Sequence, residues 1–187
     1  MLTPLPAEDW DEHAREALAS TVPPERRRPD KVGNALSTLV RHPKLAGAFL
    51  PFNSYLQLSS TLPEGVRELV ILRTAFRHGC GYEWGHHSAI ARSLGLTEAD
   101  LSAAQTGSAA DEFDQAVIDA VDELHSGSRI SAEVWERLGQ RLDDQQRMDL
   151  MFTFGGYSAL AYALNTFDVE LEDGAGTDEF YVSMGNA

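Results

Sequence analysis

Apolar positions recur every three or four residues along most of the chain, and few stretches alternate with a period of two. That spacing predicts helices. The first covers residues 7–19, after Pro6, with acids in its opening turn where the helix dipole favours them. Two more cover 32–41 and 44–58, the second with Pro51 inside it, where a kink or break is expected. Thr61 and Glu64 have capping-box spacing, and Pro63 suits a first turn, so a helix is predicted over 62–77. Along it Val66, Leu69, Val70, Arg73 and Phe76 recur at helical intervals. The next helix covers 81–94 and stops at Gly95, and Thr97 with Asp100 starts a short one over 98–105. Residues 111–126, 131–141 and 143–167 complete the set. Gly155 and Gly156 interrupt the last, at a cost of about 1 kcal/mol each against alanine. A kink, or the close approach of a neighbouring backbone, is the expected reason. Residues 171–187 lack periodicity and read as a tail, disordered or strapped onto a second subunit through Phe180, Tyr181 and Met184. The pattern therefore predicts an all-α fold, one helical domain over 1–170 followed by the tail 171–187.

Composition narrows the function more than the fold. The chain has 187 residues, enough for one domain with a real core. Its 43% hydrophobic and 24% charged residues are ordinary for a globular protein. A net charge of −14 argues against nucleic acid as a partner, because phosphate binding needs a basic surface. Arg26, Arg27 and Arg28 form a basic run between prolines and acids, which reads as a solvated loop. No apolar run reaches the roughly 20 residues a membrane span requires, and the acidic N-terminus does not resemble a secretion signal. A single cysteine rules out an intrachain disulfide and fits a reducing cytoplasm.

The chemistry concentrates in HGCGYEWGHHSAIA, residues 78–91. On a helix, Glu83, His87, Ile90 and Leu94 form one stripe, and Cys80, Trp84, His87 and Ala91 the adjacent one. The apolar members turn that side inward, so Glu83 and His87 face the core, where charged groups are costly unless paired or working. Glu68, in RELVILRTA, is likewise surrounded by apolar neighbours, with Arg67 and Arg73 as candidate partners. In an antiparallel hairpin of the two helices it could approach Cys80 or His87. Cys80 precedes a helix N-terminus, a position that lowers a thiol pKa. His87 can pass a proton near neutral pH, and desolvated Glu68 and Glu83 could act as proton donors. Plainer readings exist: Cys80 as a small core residue, Tyr82 and Trp84 as packing aromatics, His86 as a surface residue, His78 at a helix C-terminus. Glu83 with His86, and Asp122 with His125, have a spacing seen in di-iron bundles. It arises easily by chance in acidic helices, and no metal is expected.

Glu68, the twelve-residue step to Cys80, the run CGYEWGHH with His87 seven beyond Cys80, and the following AIARSLGLT together resemble the carboxymuconolactone decarboxylase family, which includes the alkyl hydroperoxidase D peroxidases. The similarity is strongest over residues 64–97 and extends across about 35–125. It implies an AhpD-like helical bundle, a homo-oligomer (trimer or hexamer, with a dimer possible), a small-molecule substrate and no organic cofactor. In the peroxidase branch a second cysteine stands where this chain has Glu83, whereas Tyr82-Glu83-Trp84 followed by His87 matches the decarboxylase branch. A dithiol cycle needs a resolving thiol, so peroxidase chemistry is demoted.

The leading expectation is a cofactor-independent lyase or isomerase acting on a small carboxylated lactone or oxo-acid. Its catalytic residues would be Glu68, Cys80, Glu83 and His87, with Arg73, Tyr82, Trp84 and His86 around the substrate. The alternatives are a single-cysteine, thiol-dependent peroxidase or redox protein, and a non-enzymatic ligand-binding or assembly module.

Overall fold

The computed structural model describes residues 1–174, which form nine α-helices and no strand. They are α1 (Glu12–Glu16), α2 (Asn34–Leu39), α3 (Pro43–Leu58), α4 (Glu64–Arg77), α5 (Gly81–Ser93), α6 (Glu98–Thr106), α7 (Glu112–Gly127), α8 (Ala132–Leu138) and α9 (Asp144–Phe167). Helix α4 is the axis of the bundle, packed by α5, α6, α7 and α9. Residues 67–75 of α4 are buried without interruption. An amphipathic stripe would bury only one face. Here the whole girdle is enclosed, which is why Glu68 and Arg73 both lie inside although they point to different sides.

The largest apolar cluster joins Leu69, Val70 and Leu72 of α4 to Val117, Ile118 and Val121 of α7. Each such side chain stabilises the fold by about 1.5–3 kcal/mol on burial. A second cluster ties Trp10, Ala14 and Leu18 to Val40, Ala46 and Leu50. A third, smaller one sets Cys80 against Ala35, Leu160, Ala161 and Leu164. Arg73 links three helices on the side of α4 away from Glu68. It makes a two-pronged ion pair with Asp122 of α7 at 2.8 and 2.6 Å, and its Nη1 donates to the carbonyls of Ala104 and Gln105. A buried guanidinium satisfied in this way is a structural tie.

Several boundaries differ from the sequence reading, each for a visible reason. The predicted 7–19 helix is a 3-10 turn at Ala7–Asp9 followed by α1, which Asp11 caps. Thr97 and Asp100 form the expected capping box. Thr61 does not cap α4; its N–H and hydroxyl both donate to Asp149 of α9, at 2.6 and 2.8 Å, and the helix starts at Glu64. The long-range carboxylate wins over the local motif. Helix α3 runs through Pro51 without a break. Pro51 and Gly47, whose carbonyl loses its partner, are both exposed, so water can replace the missing bond. Helix α9 is likewise continuous. The close neighbour at its glycine pair is a side chain and not a backbone: a Cβ on Gly156 would lie 2.5 Å from Leu56 Cδ1, while Gly155 has open space. No helix among the described residues is long and apolar enough to cross a membrane.

Candidate active site

Gly79, at a φ of +60°, turns the chain from α4 into α5. The turn lays the two helices side by side and brings Glu68 to His87. His87 Nδ1 is 2.6 Å from Glu68 Oε2, and its Nε2 is 3.3 Å from Glu83 Oε2, one turn back on α5. Arg67 Nε lies 3.3 Å from the other Glu68 oxygen. The four groups form a buried chain, Arg67–Glu68–His87–Glu83, with Glu68 only 1% and His87 4% exposed. An imidazole with a carboxylate near each nitrogen is favoured in its charged form. Burial alone would lower its pKa, but the charges and hydrogen bonds of Glu68 and Glu83 raise it to about 10. The ring of Tyr157 on α9 stands edge-on to it at 5.1 Å.

Cys80 occupies the N-cap of α5, as the sequence predicts, but its thiol does not acquire the low pKa of that position. The side chain is 1% exposed. Burial pushes the thiol up to about 11; backbone N–H groups of Glu83 and Tyr82 pull it down, and the Glu83 charge raises it further. Desolvation outweighs the helix terminus here. The resting thiol is protonated.

A cleft of about 540 Å³ opens beside this chain, with Glu83, His87 and Tyr157 in its wall. Tyr82 and His86 line it as well, and Val32, Leu36, Ile90 and Leu160 give it an apolar body. Two other clefts, about 620 and 600 Å³, are larger, but neither is lined by any of these groups. The acid–base cluster therefore identifies the smaller cleft as the candidate site.

Four of the predicted residues, Glu83, His87, Tyr82 and His86, meet at this cleft, with Glu68 directly behind His87. Cys80 sits one turn below, in the core. Two of the residues expected around the substrate lie away from this cleft. Arg73 is held by Asp122 and two carbonyls on the other side of α4 and does not line this cleft. Trp84 packs against the main core and, edge-on at 6.3 Å, against Phe76. His86 is not a surface residue: its side chain is 13% exposed and pairs with Glu172. Asp122, half of one proposed metal motif, is taken by Arg73, and no three His, Cys, Asp or Glu side chains gather into a metal-holding group among the described residues.

The cleft also contains groups that periodicity does not single out. Tyr157 comes from the apolar run FGGYSALAYAL, where an inward tyrosine looks like packing. Arg26 of the basic run reaches the cleft and is half-buried, and Lys31 joins it there. Asn53 of α3 lines the wall with a buried amide nitrogen that has no hydrogen-bond partner among the described residues.

Residues 43–125 match the model of the carboxymuconolactone decarboxylase family. No curated protein matches the chain in sequence. Among solved structures it is similar to an uncharacterised peroxidase-related protein from Ralstonia eutropha JMP134 with an alkylhydroperoxidase AhpD core. That likeness has a TM-score of 0.76 at 18% identity, covering 94% of this chain and 95% of the other. It is also similar to the debrominase Bmp8 in its apo form, with a TM-score of 0.70 at 17% identity over 92% of each chain. A cysteine-to-alanine variant of Bmp8 in complex with 2,3,4-tribromopyrrole gives a TM-score of 0.70 at 18% identity over 96% of each chain. At these identities the structures establish a shared fold, and chemistry must be argued from the site. The match over residues 43–125 and the AhpD-like fold around it together support a carboxymuconolactone decarboxylase-like, AhpD-like family for this chain.

Proposed function

We propose that this chain is a cofactor-independent lyase or isomerase that moves a proton on a small carboxylated lactone or oxo-acid, working as a cytoplasmic homo-oligomer, a trimer or hexamer. The observation that carries the reading is a buried histidine set between the Glu68 and Glu83 carboxylates on the wall of an apolar cleft. When the carbon–carboxylate bond breaks, carbon dioxide leaves and the bonding electron pair passes into the substrate's own carbonyl or lactone. The resulting enolate then takes a proton at carbon. His87 supplies it, and the ring is reprotonated from water. Glu68, backed by Arg67, holds the imidazole in place, and Glu83 lies next to the proton being moved. The apolar wall keeps water from the carbanion, and Tyr157 can donate to the enolate oxygen, since burial and the two nearby carboxylates hold its phenol well above its ordinary pKa.

The test is carbon dioxide release from carboxymuconolactone and related oxo-acids by the purified chain. His87→Gln is expected to lower turnover by about a hundredfold or more while leaving the fold intact. Full activity in that variant would overturn the reading.

Thiol chemistry at Cys80 is the second reading. It is supported by the two backbone N–H groups directed at the sulfur and by the fold shared with a peroxidase-related protein and a debrominase. Burial and a pKa near 11 weigh against it. Peroxide turnover in this single-cysteine chain would also need an outside thiol. Intact-mass detection of a sulfenic acid at modest peroxide, with turnover sustained by added thiol, would put this reading first.

A further inference from the structure

After α9 the chain doubles back, and Leu171 and Glu172 settle on α5 of their own subunit. The glycines opposite are cut to fit. A Cβ on Gly85 would lie 2.7 Å from Leu171 Cδ2, and one on Gly33 would lie 2.6 Å from Glu172 Oε1 and 2.9 Å from Tyr82 Oη. The Glu172 carboxylate then receives three donors. Tyr82 Oη donates to Oε1 at 2.8 Å, the Asn34 N–H donates to the same oxygen, and His86 Nε2 pairs with Oε2 at 2.9 Å. Tyr82 is itself steadied by the Ala35 N–H at 3.3 Å, and Asn34 Nδ2 holds the Glu170 carbonyl at 2.9 Å.

Tyr82, His86 and Gly33 are also part of the cleft wall, and Arg26 and Lys31 stand on the same cleft. In a chain of net charge −14, the cradle therefore shares its cleft with the side chains of Arg26, Lys31 and Glu83.

We propose that Tyr82, His86 and the Asn34 N–H form a carboxylate-binding subsite of the cleft, filled in the observed state by Glu172 of the same chain, which a monocarboxylate ligand displaces. The geometry explains why donors from two separate stretches of sequence, the start of α2 and one face of α5, converge on one point beside the reacting groups. It also replaces Arg73 as the source of carboxylate recognition. Burial by itself would raise the Glu172 pKa; the hydrogen bonds from His86, from Asn34 and from Tyr82 bring it down to about 2. The cradle therefore prefers a carboxylate over a carboxylic acid, as a receptor for an anionic ligand must. This inference rests on the cleft being the working site, but it does not require the chemistry proposed for His87.

Benzoate binding, followed by calorimetry with benzamide as the uncharged control, tests it. Glu172→Ala is expected to bind benzoate about tenfold tighter than the unaltered chain, because a site closed most of the time loses affinity in proportion to its open fraction. Benzamide should gain nothing, and Tyr82→Phe in the Glu172→Ala background should erase the gain. Hydrogen exchange in the unaltered chain provides a second readout that needs no variant: saturating benzoate should speed exchange across residues 169–174. Equal benzoate affinity with and without Glu172, an equal gain for benzamide, or exchange unchanged by benzoate would each overturn the proposal. None of these readouts measures turnover, so failure here leaves the His87 mechanism standing, and failure of that mechanism leaves the receptor standing.

Discussion

His87 has a carboxylate at each nitrogen, and this single circumstance governs its charge and, in the proposed mechanism, its use. Its pKa in the fold, about 10, exceeds the value near 6.5 expected for the unfolded chain. Between those two values the folded chain therefore holds a proton that the unfolded chain releases. The stability it contributes is complete below about pH 6.5 and is lost as pH rises towards about 10. Urea midpoints measured across that window should fall for the unaltered chain and fall less for His87→Gln; parallel pH profiles would mean the clamp adds nothing. Cys80 belongs to the opposite case, a reactive group kept dormant by burial. Cys80→Ala should retain carbon dioxide release within about threefold, whereas a loss of about a hundredfold would make the thiol a catalytic acid or nucleophile. The sequence identified these residues by type and spacing, since an acid and an imidazole one turn apart on an inward face are legible from periodicity alone. Of the two readings of Cys80, the buried core residue holds and the lowered thiol pKa does not, because the helix terminus is a local feature and desolvation is a tertiary one.

At the scale of elements, the helices themselves were readable and their contacts were not. Thr97–Asp100 and Thr61–Glu64 have the same capping signature, yet only the first caps, because Asp149 of α9 claims Thr61 from 88 residues away. Nothing in the neighbourhood of Thr61 announces that carboxylate. In the same way Arg73 falls on a helical stripe and looks available until α7 brings Asp122 against it. The glycine pair of α9 separates the two kinds of information cleanly. Gly156 faces Leu56, so Gly156→Ala must displace a packed side chain and should destabilise by about 1–3 kcal/mol. Gly155 faces open space, so Gly155→Ala should stabilise by about 0.5–1 kcal/mol through helix propensity alone. Thermal unfolding of the two variants checks both signs, and equal shifts would mean that the contact with α3 is not tight.

The whole molecule adds what neither residues nor helices contain. The cleft is assembled from the loop before α2, from α3, from α5 and from α9, and the loop lies outside the family match at residues 43–125. That is why Arg26 and Lys31, in a basic stretch that looks merely solvated, went unrecognised as site residues. The return of Leu171 and Glu172 onto α5 was equally hidden, since a segment without periodicity gives no sign of where it docks; Phe180, Tyr181 and Met184 lie outside the described residues. On the outer surface, Phe52, Tyr55, Met151 and Phe152 of α3 and α9 are each about two-fifths exposed, and Phe52 and Phe152 meet edge to face at 6.2 Å. An apolar face of this kind suits a contact between copies. Light scattering should find an assembly larger than the single chain, and Phe152→Glu should shift it towards monomer. A monomer at all concentrations would contradict the proposed oligomer.

The central claim is that the fold keeps a proton on His87, inside the cleft, at the pH where the protein works. Nuclear magnetic resonance of the imidazole ring nitrogens reads that proton directly. An imidazolium is expected throughout the neutral range, titrating only as pH approaches about 10. A neutral ring at pH 7, titrating in the ordinary histidine range near 6.5, would contradict it.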